Sequence, residues 1–140
     1  MNFSSFRPVA TLLAAGLALA CSLASAQEEE KVLNVYNWSD YISEDAIKNF
    51  EKETGIKVRY DNFDNNEIVH AKLVAGKTGY DVVVPSSNFA KLQADGGLLR
   101  KIDKAQLSNY KFLDPALQAQ LAQLDPGNQY MVNWLWGYTT

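Results

Sequence analysis

Four consecutive positions, Trp38-Ser39-Asp40-Tyr41, set two aromatic rings, a hydroxyl and a carboxylate side by side. These are the groups that hold an organic ammonium. An aromatic face attracts a cation by about 0.5–2 kcal/mol, and a carboxylate accepts a charge-assisted hydrogen bond. A second polar cluster, Pro85-Ser86-Ser87-Asn88-Phe89, has related potential. Each cluster also has a plainer reading. Trp38 and Tyr41 suit a core, with Asp40 capping the next helix, and Ser87 or Asn88 suits a helix N-cap. Residue types alone leave both pairs of readings open.

The elements that would position these clusters follow from periodicity. Residues 32–36 are short and rich in β-formers, a first strand. Ser43 precedes Glu44 and Asp45, an N-cap followed by acids that favour the positive end of a helix dipole. Ala46, Ile47, Phe50 and Thr54 then share one face, and Gly55 supplies a left-handed stop, so this amphipathic helix should cover one side of a sheet. Residues 56–60 alternate with period two, a second strand, and Asn65 or Asn66 opens a helix running to Gly76. Residues 80–84 form a nearly continuous apolar run, as expected of a strand buried on both faces. Pro85 ends it, and a short helix over residues 89–94 stops at Gly96-Gly97. The order βαβαβα with right-handed crossovers predicts a parallel sheet with helices on both faces. In such sheets ligands bind beyond the carboxyl ends of the strands, where both clusters fall. Further on, Leu98-Leu99 reads as a brief strand, and Asp114 as the cap of a helix from Pro115 to about Ala122. Asp125-Pro126-Gly127-Asn128 is a turn, and residues 130–138 read as a strand whose Trp134, Trp136 and Tyr138 share a face and suit core or inter-lobe packing.

Residues 1–26 contain no acid, one Arg (Arg7) and an apolar stretch, the pattern of a secretory signal peptide. The triplet Ala24-Ser25-Ala26 places the mature start at Gln27, leaving residues 27–140 as the folded part. A lipoprotein signal ending at Cys21 fits less well, because Ala18 rather than Leu stands three positions before it. The full chain carries 13 Lys and Arg against 16 Asp and Glu; without Arg7 the mature segment has 12 basic residues and a net charge of −4. Such a chain, with no basic cluster, is a poor candidate for nucleic acid or for an anionic membrane surface. Without Cys21 the mature segment has no cysteine, so it must fold on its core alone.

Other signals point away from catalysis and metals. The segment Asp61-Asn62-Phe63-Asp64-Asn65-Asn66-Glu67 is rich in oxygen ligands but lacks the spacing and central Gly of an EF-hand loop, so it reads as a polar turn with a helix cap. His70 is the only histidine and has no cysteine partner, which disfavours zinc and Ser-His or Cys-His chemistry. Gly96-Gly97 is a turn rather than a phosphate loop. No metal, cofactor or catalytic residue is expected.

Three stretches together closely resemble the bacterial putrescine/spermidine-binding periplasmic proteins: Asn37-Trp38-Ser39-Asp40-Tyr41-Ile42, then Phe50-Glu51-Lys52-Glu53-Thr54-Gly55-Ile56-Lys57-Val58, then Gly79-Tyr80-Asp81-Val82-Val83-Val84-Pro85-Ser86. The resemblance covers nearly all of residues 32–140. It implies a type II periplasmic-binding-protein-like α/β fold, of which this chain supplies the parallel-sheet first lobe, with the second lobe missing. It also implies a periplasmic monomer without enzymatic activity that closes on a polyamine and passes it to the permease subunits of an inner-membrane ABC transporter. By position, Trp38, Ser39, Asp40 and Tyr41 match the family's first pocket segment, Ser86 a serine of the second, and Phe89 an aromatic near the ligand. Asn88 stands where relatives vary, which makes it a candidate determinant of polyamine choice. Two rivals remain: the same fold taking another cationic solute or acting as a polyamine sensor, and an exported hydrolase using Asp61 and Asp64 as paired acids.

Overall fold

The computed structural model describes residues 30–137; the signal segment with Cys21, and Tyr138, lie outside the described residues. Three strands form one parallel sheet in the order β2-β1-β3. The central strand β1 (Val32–Trp38) pairs with β2 (Lys57–Phe63) in the register Val32↔Lys57 to Trp38↔Phe63, and with β3 (Val82–Val83) through Val35↔Val82 and Tyr36↔Val83. Strand residues alternate between the two faces. Leu33, Val35, Val58, Tyr60, Val82 and Val84 therefore share one face, and Tyr36, Trp38, Phe63 and Val83 the other.

The first helix, α1 (Glu44–Thr54), begins as its sequence requires. Ser43 Oγ accepts the Ala46 N–H at 3.3 Å, and Gly55 closes the helix at φ 70°, a conformation glycine adopts without Cβ strain. Its Ile47 and Phe50 lie towards the first face, but the contact is loose. Helix α1 buries no residue, and an open apolar cavity of about 330 Å³ separates it from Leu33, Val35 and Val58, with Trp134 at its wall. A polar tie holds the helix in place instead. Glu51 accepts the Val58 N–H at 2.9 Å and Lys57 Nζ at 3.2 Å, joining the last turn of α1 to the start of β2.

On the other face α2 (Asn66–Ala75) packs tightly, with Val69 fully buried against Tyr36 and Phe63, and Leu73, Tyr80 and Val83 around them. Each large apolar side chain buried there contributes about 1.5–3 kcal/mol. Beyond β3, α3 (Ser87–Asp95) and α4 (Pro115–Leu121) enclose a second small core of Ala90, Leu121 and Met131. Asp114 caps α4 by accepting the Ala116 and Leu117 N–H groups, and the turn at residues 125–128 closes with Asn128 N–H to Asp125 O at 2.7 Å. Both features follow the sequence reading. Two 3₁₀ turns, Lys104–Gln106 and Tyr110–Phe112, lie between α3 and α4.

Several expectations need correction. The run at residues 80–84 is a strand for only two residues, and Val82 is 42% exposed. Burial on both faces requires cover on both, and among the described residues its α1 face opens on the cavity and its outer edge has no strand. Leu98-Leu99 and residues 131–137 form no ladder, since strand character needs a partner and no free edge takes them. Trp134 and Trp136 are 53% and 65% exposed, so they are not core residues.

The Val58 N–H bond, and then Lys57, hold the Glu51 carboxyl below its usual 4.5. A group whose folded pKa is depressed stabilises the fold above its unfolded pKa and loses that contribution as pH falls through the folded value. Wild type should therefore be more stable than Glu51→Gln at neutral pH, and the gap should close below about pH 4.5 in thermal melts; a gap unchanged by acid would contradict the tie. Gln93 is fully buried with neither side-chain polar atom bonded. Gln93→Met should raise the urea midpoint, by a stability gain of about 1–3 kcal/mol, because an unpaired amide no longer has to be desolvated.

Candidate functional site

Parallel strands end at one edge, and there the two clusters meet the β2–α2 connection. Strand β1 runs through Trp38, so Asn37 and Trp38 belong to the strand rather than to the loop predicted after it. Asn37 is buried for a structural reason: its Oδ1 accepts the Trp38 N–H and its Nδ2 donates to Tyr60 Oη, both at 2.8 Å. Burial pushes the Tyr60 hydroxyl above its usual range, against the opposing effect of that bond. Trp38 is half-buried, its ring 4.6 Å from Phe63 and 6.1 Å from Tyr41, and its carbonyl accepts Asn62 Nδ2 at 3.2 Å. Tyr41 is 42% exposed, so an aromatic pair runs from the packed core out to solvent.

Ser39 and Asp40 are exposed at the turn, and Asp40 sits at φ 60°. Asp40 does not cap α1, because Ser43 does; the plainer reading of that carboxylate is thereby removed. Asp and Asn tolerate the left-handed region better than other residues with a Cβ.

The second cluster is organised differently from the sequence expectation. Ser86, not Ser87 or Asn88, occupies the N-cap position of α3, and its hydroxyl makes no capping bond. Instead Ser86 N–H donates to Asn66 Oδ1 at 2.8 Å, and Ser86 Oγ accepts Asn66 Nδ2 at 2.9 Å. Ser87 and Asn88 are exposed in the first turn of α3. Phe89 is half-buried with its ring edge-on to His70 at 6.1 Å, on the seam between α2 and α3. The structure thus gathers Trp38, Ser39, Asp40, Tyr41 and Ser86 at the carboxyl ends of adjacent strands, with Asn88 and Phe89 one turn further along α3.

The sequence marks Asn66 only as an alternative to Asn65 as a cap and gives Asn62 no role beyond a polar turn. Asn65 is the cap, accepting the Ile68 N–H at 2.9 Å, and this frees Asn66 to hold the second loop. The signal was an asparagine more than capping requires. The rest of the acidic segment is used internally: Asp61 accepts the Tyr80 hydroxyl at 2.7 Å, and Asp64 accepts Asn65 Nδ2 at 3.1 Å. The two carboxylates therefore serve separate bonds rather than an acid–base pair, and among the described residues no three His, Cys, Asp or Glu side chains gather as a metal site.

Residues 45–140 match the family model described as bacterial extracellular solute-binding protein. The chain belongs to that family. It is 47% identical over 127 residues to the putrescine-binding periplasmic protein PotF of Escherichia coli, and 50% identical over 127 residues to the putrescine-binding periplasmic protein SpuD of Pseudomonas aeruginosa. Each match covers 91% of this chain but only 34% and 35% of those relatives, so the chain spans about a third of their length. A solved structure, the spermidine/putrescine ABC transporter substrate-binding protein PotD of Streptococcus pneumoniae, superposes with a TM-score of 0.66 at 36% identity, covering 70% of this chain and 30% of that one. The α/β periplasmic-binding-protein fold that the resemblance implies is the fold observed over that matched part.

The backbone at Asp40 sets a test that separates geometry from charge. Asp40→Gly and Asp40→Asn should melt close to wild type, whereas Asp40→Val should be less stable by about 1–2 kcal/mol, since a β-branched residue resists positive φ. Equal melting of all three variants would refute the left-handed turn.

Proposed function

We propose that this chain forms one wall of a polyamine site in an exported, monomeric solute-binding protein that delivers putrescine or spermidine to the permease subunits of an ABC transporter. Residues 1–26 act as the export signal to the periplasm, and residues 27–140 as the N-terminal portion of the solute-binding unit. Trp38 and Tyr41 provide aromatic walls, Asp40 the counter-charge, and Ser39 and Ser86 hydrogen-bonding groups. Asn88 and Phe89 line the approach along α3.

One observation carries this reading: a left-handed turn leaves Asp40 exposed between a core-anchored Trp38 and a half-exposed Tyr41, at the strand end beside the Ser86 loop. Ammonium groups are donors only, and this end of the sheet offers a carboxylate and aromatic faces to meet them. The names of PotF, SpuD and the pneumococcal PotD support the ligand class. Because these groups are exposed, binding by this single wall should be weak. A cation–π contact of about 0.5–2 kcal/mol and a charged hydrogen bond of about 1.5–3 kcal/mol give about 2–5 kcal/mol before the cost of association, so millimolar affinity, about −4 kcal/mol, is the tightest expected.

Amide and indole resonances of the 140-residue chain, followed during titration, test the proposal. Putrescine and spermidine should shift residues 38–41 and Ser86 with millimolar affinity, while maltose and glutamate should not. Asp40→Asn should weaken binding about three- to tenfold, as expected for loss of the charge assistance of one hydrogen bond. A polyamine response spread evenly over the surface, or none at these residues, would reject the site.

A further inference from the structure

The residues flanking the β2–α2 connection reach the end of β1 and the Ser86 loop. Asn62 Nδ2 holds the Trp38 carbonyl at 3.2 Å, and Asn66 holds Ser86 through two bonds at 2.8 and 2.9 Å. The Asn66 amide has only one orientation that satisfies them. Ser86 N–H can only donate, so Oδ1 must face it, which turns Nδ2 towards Ser86 Oγ. Asn66 is not needed to start its own helix, because Asn65 caps α2. Ser86, conversely, stands where a serine ordinarily caps a helix, yet its hydroxyl is withheld from α3. With one bond accepted from Asn66, Ser86 Oγ retains a lone pair and its own O–H, both turned away from the amide.

We infer that Asn66 is a positioning residue for polyamine recognition: its paired hydrogen bonds fix the Ser86 hydroxyl relative to the Trp38–Tyr41 wall and so help set which diamine length fits. This rests on the polyamine reading above. Because Asn62 near the end of β2 and Asn66 at the start of α2 flank one short connection, the Trp38 carbonyl and the Ser86 loop are braced from a single support. Removing Asn66 frees the Ser86 loop while leaving the Trp38 side anchored. The consequence is a change in discrimination between diamines as well as in affinity.

A double-mutant cycle on the 140-residue chain decides the matter. Putrescine and cadaverine, which differ by one methylene, are titrated into wild type, Asn66→Ala, Ser86→Ala and the double variant, with amide spectra reporting the fold. Each single change should weaken the preferred diamine about three- to tenfold, the effect of one lost hydrogen bond. Asn66→Ala should also bring the putrescine-to-cadaverine ratio towards one, and in the Ser86→Ala background it should add no further loss. Wild-type affinity in Asn66→Ala, an unchanged ratio, or losses that multiply in the double variant would each overturn the inference. Should Asn66→Ala not fold, Asn66→Ser, which suits a helix start, takes its place with the same expected outcomes. A wild-type chain that responds to neither diamine would reject the polyamine reading itself, a result visible before any variant is compared.

Discussion

The pairing of β1 on both edges with strands running in its own direction governs everything at the candidate site. Parallel strands deliver their carboxyl ends to one edge, and each must be followed by a crossover that returns the chain to the opposite edge. Loops far apart in sequence therefore become neighbours, and the crossover from β2 to β3, which must pass over β1, brings Asn62 to the Trp38 carbonyl and Asn66 to Ser86. Because the β1–β3 ladder is only two residues long, side chains reinforce it: Asn34 donates through its backbone N–H and its Nδ2 to Asp81 Oδ2, at 2.8 and 3.1 Å. Without that reinforcement the Ser86 loop would hang from a weak edge.

The two faces of the sheet are unequal. Val69 of α2 locks onto Tyr36 and Phe63, whereas α1 stands off across an apolar cavity and is tied by Glu51 to β2. Dispersion contacts need close approach, so a helix that buries nothing adds little packing energy however amphipathic its sequence. The stiff support for the candidate loops is therefore the α2 face, the face to which the Trp38 ring and Asn66 both belong.

On that face an aromatic series runs from Tyr80, stacked on Tyr36 at 4.5 Å, through Phe63 to Trp38 and Tyr41. Lys72 places its ammonium 4.4 Å from the Tyr36 ring and donates to Tyr80 Oη at 3.0 Å, a bond that raises its pKa. The chain thus already holds an ammonium on an aromatic face at one end of this series, the same interaction proposed for a ligand at the other.

Local chemistry was sufficient for the sequence to determine much of this. Ser43 and Asp114 cap helices by bonds within three residues, Asn65 or Asn66 marks the start of α2, Gly55 stops α1 by its own φ, and period-two and helical patterns mark β1, β2 and α1. The aromatic and acidic cluster at residues 38–41 was equally legible, since its members are adjacent. Tertiary structure alone decided the rest. Whether the run at residues 80–84 is buried depends on what covers it, and whether residues 131–137 pair depends on a free edge; neither is a property of the segment. The exchange of roles between Ser86 and Asn66 is of the same kind. Each is locally a good capping residue, and only the crossover of α2 over β1 brings them within hydrogen-bonding reach.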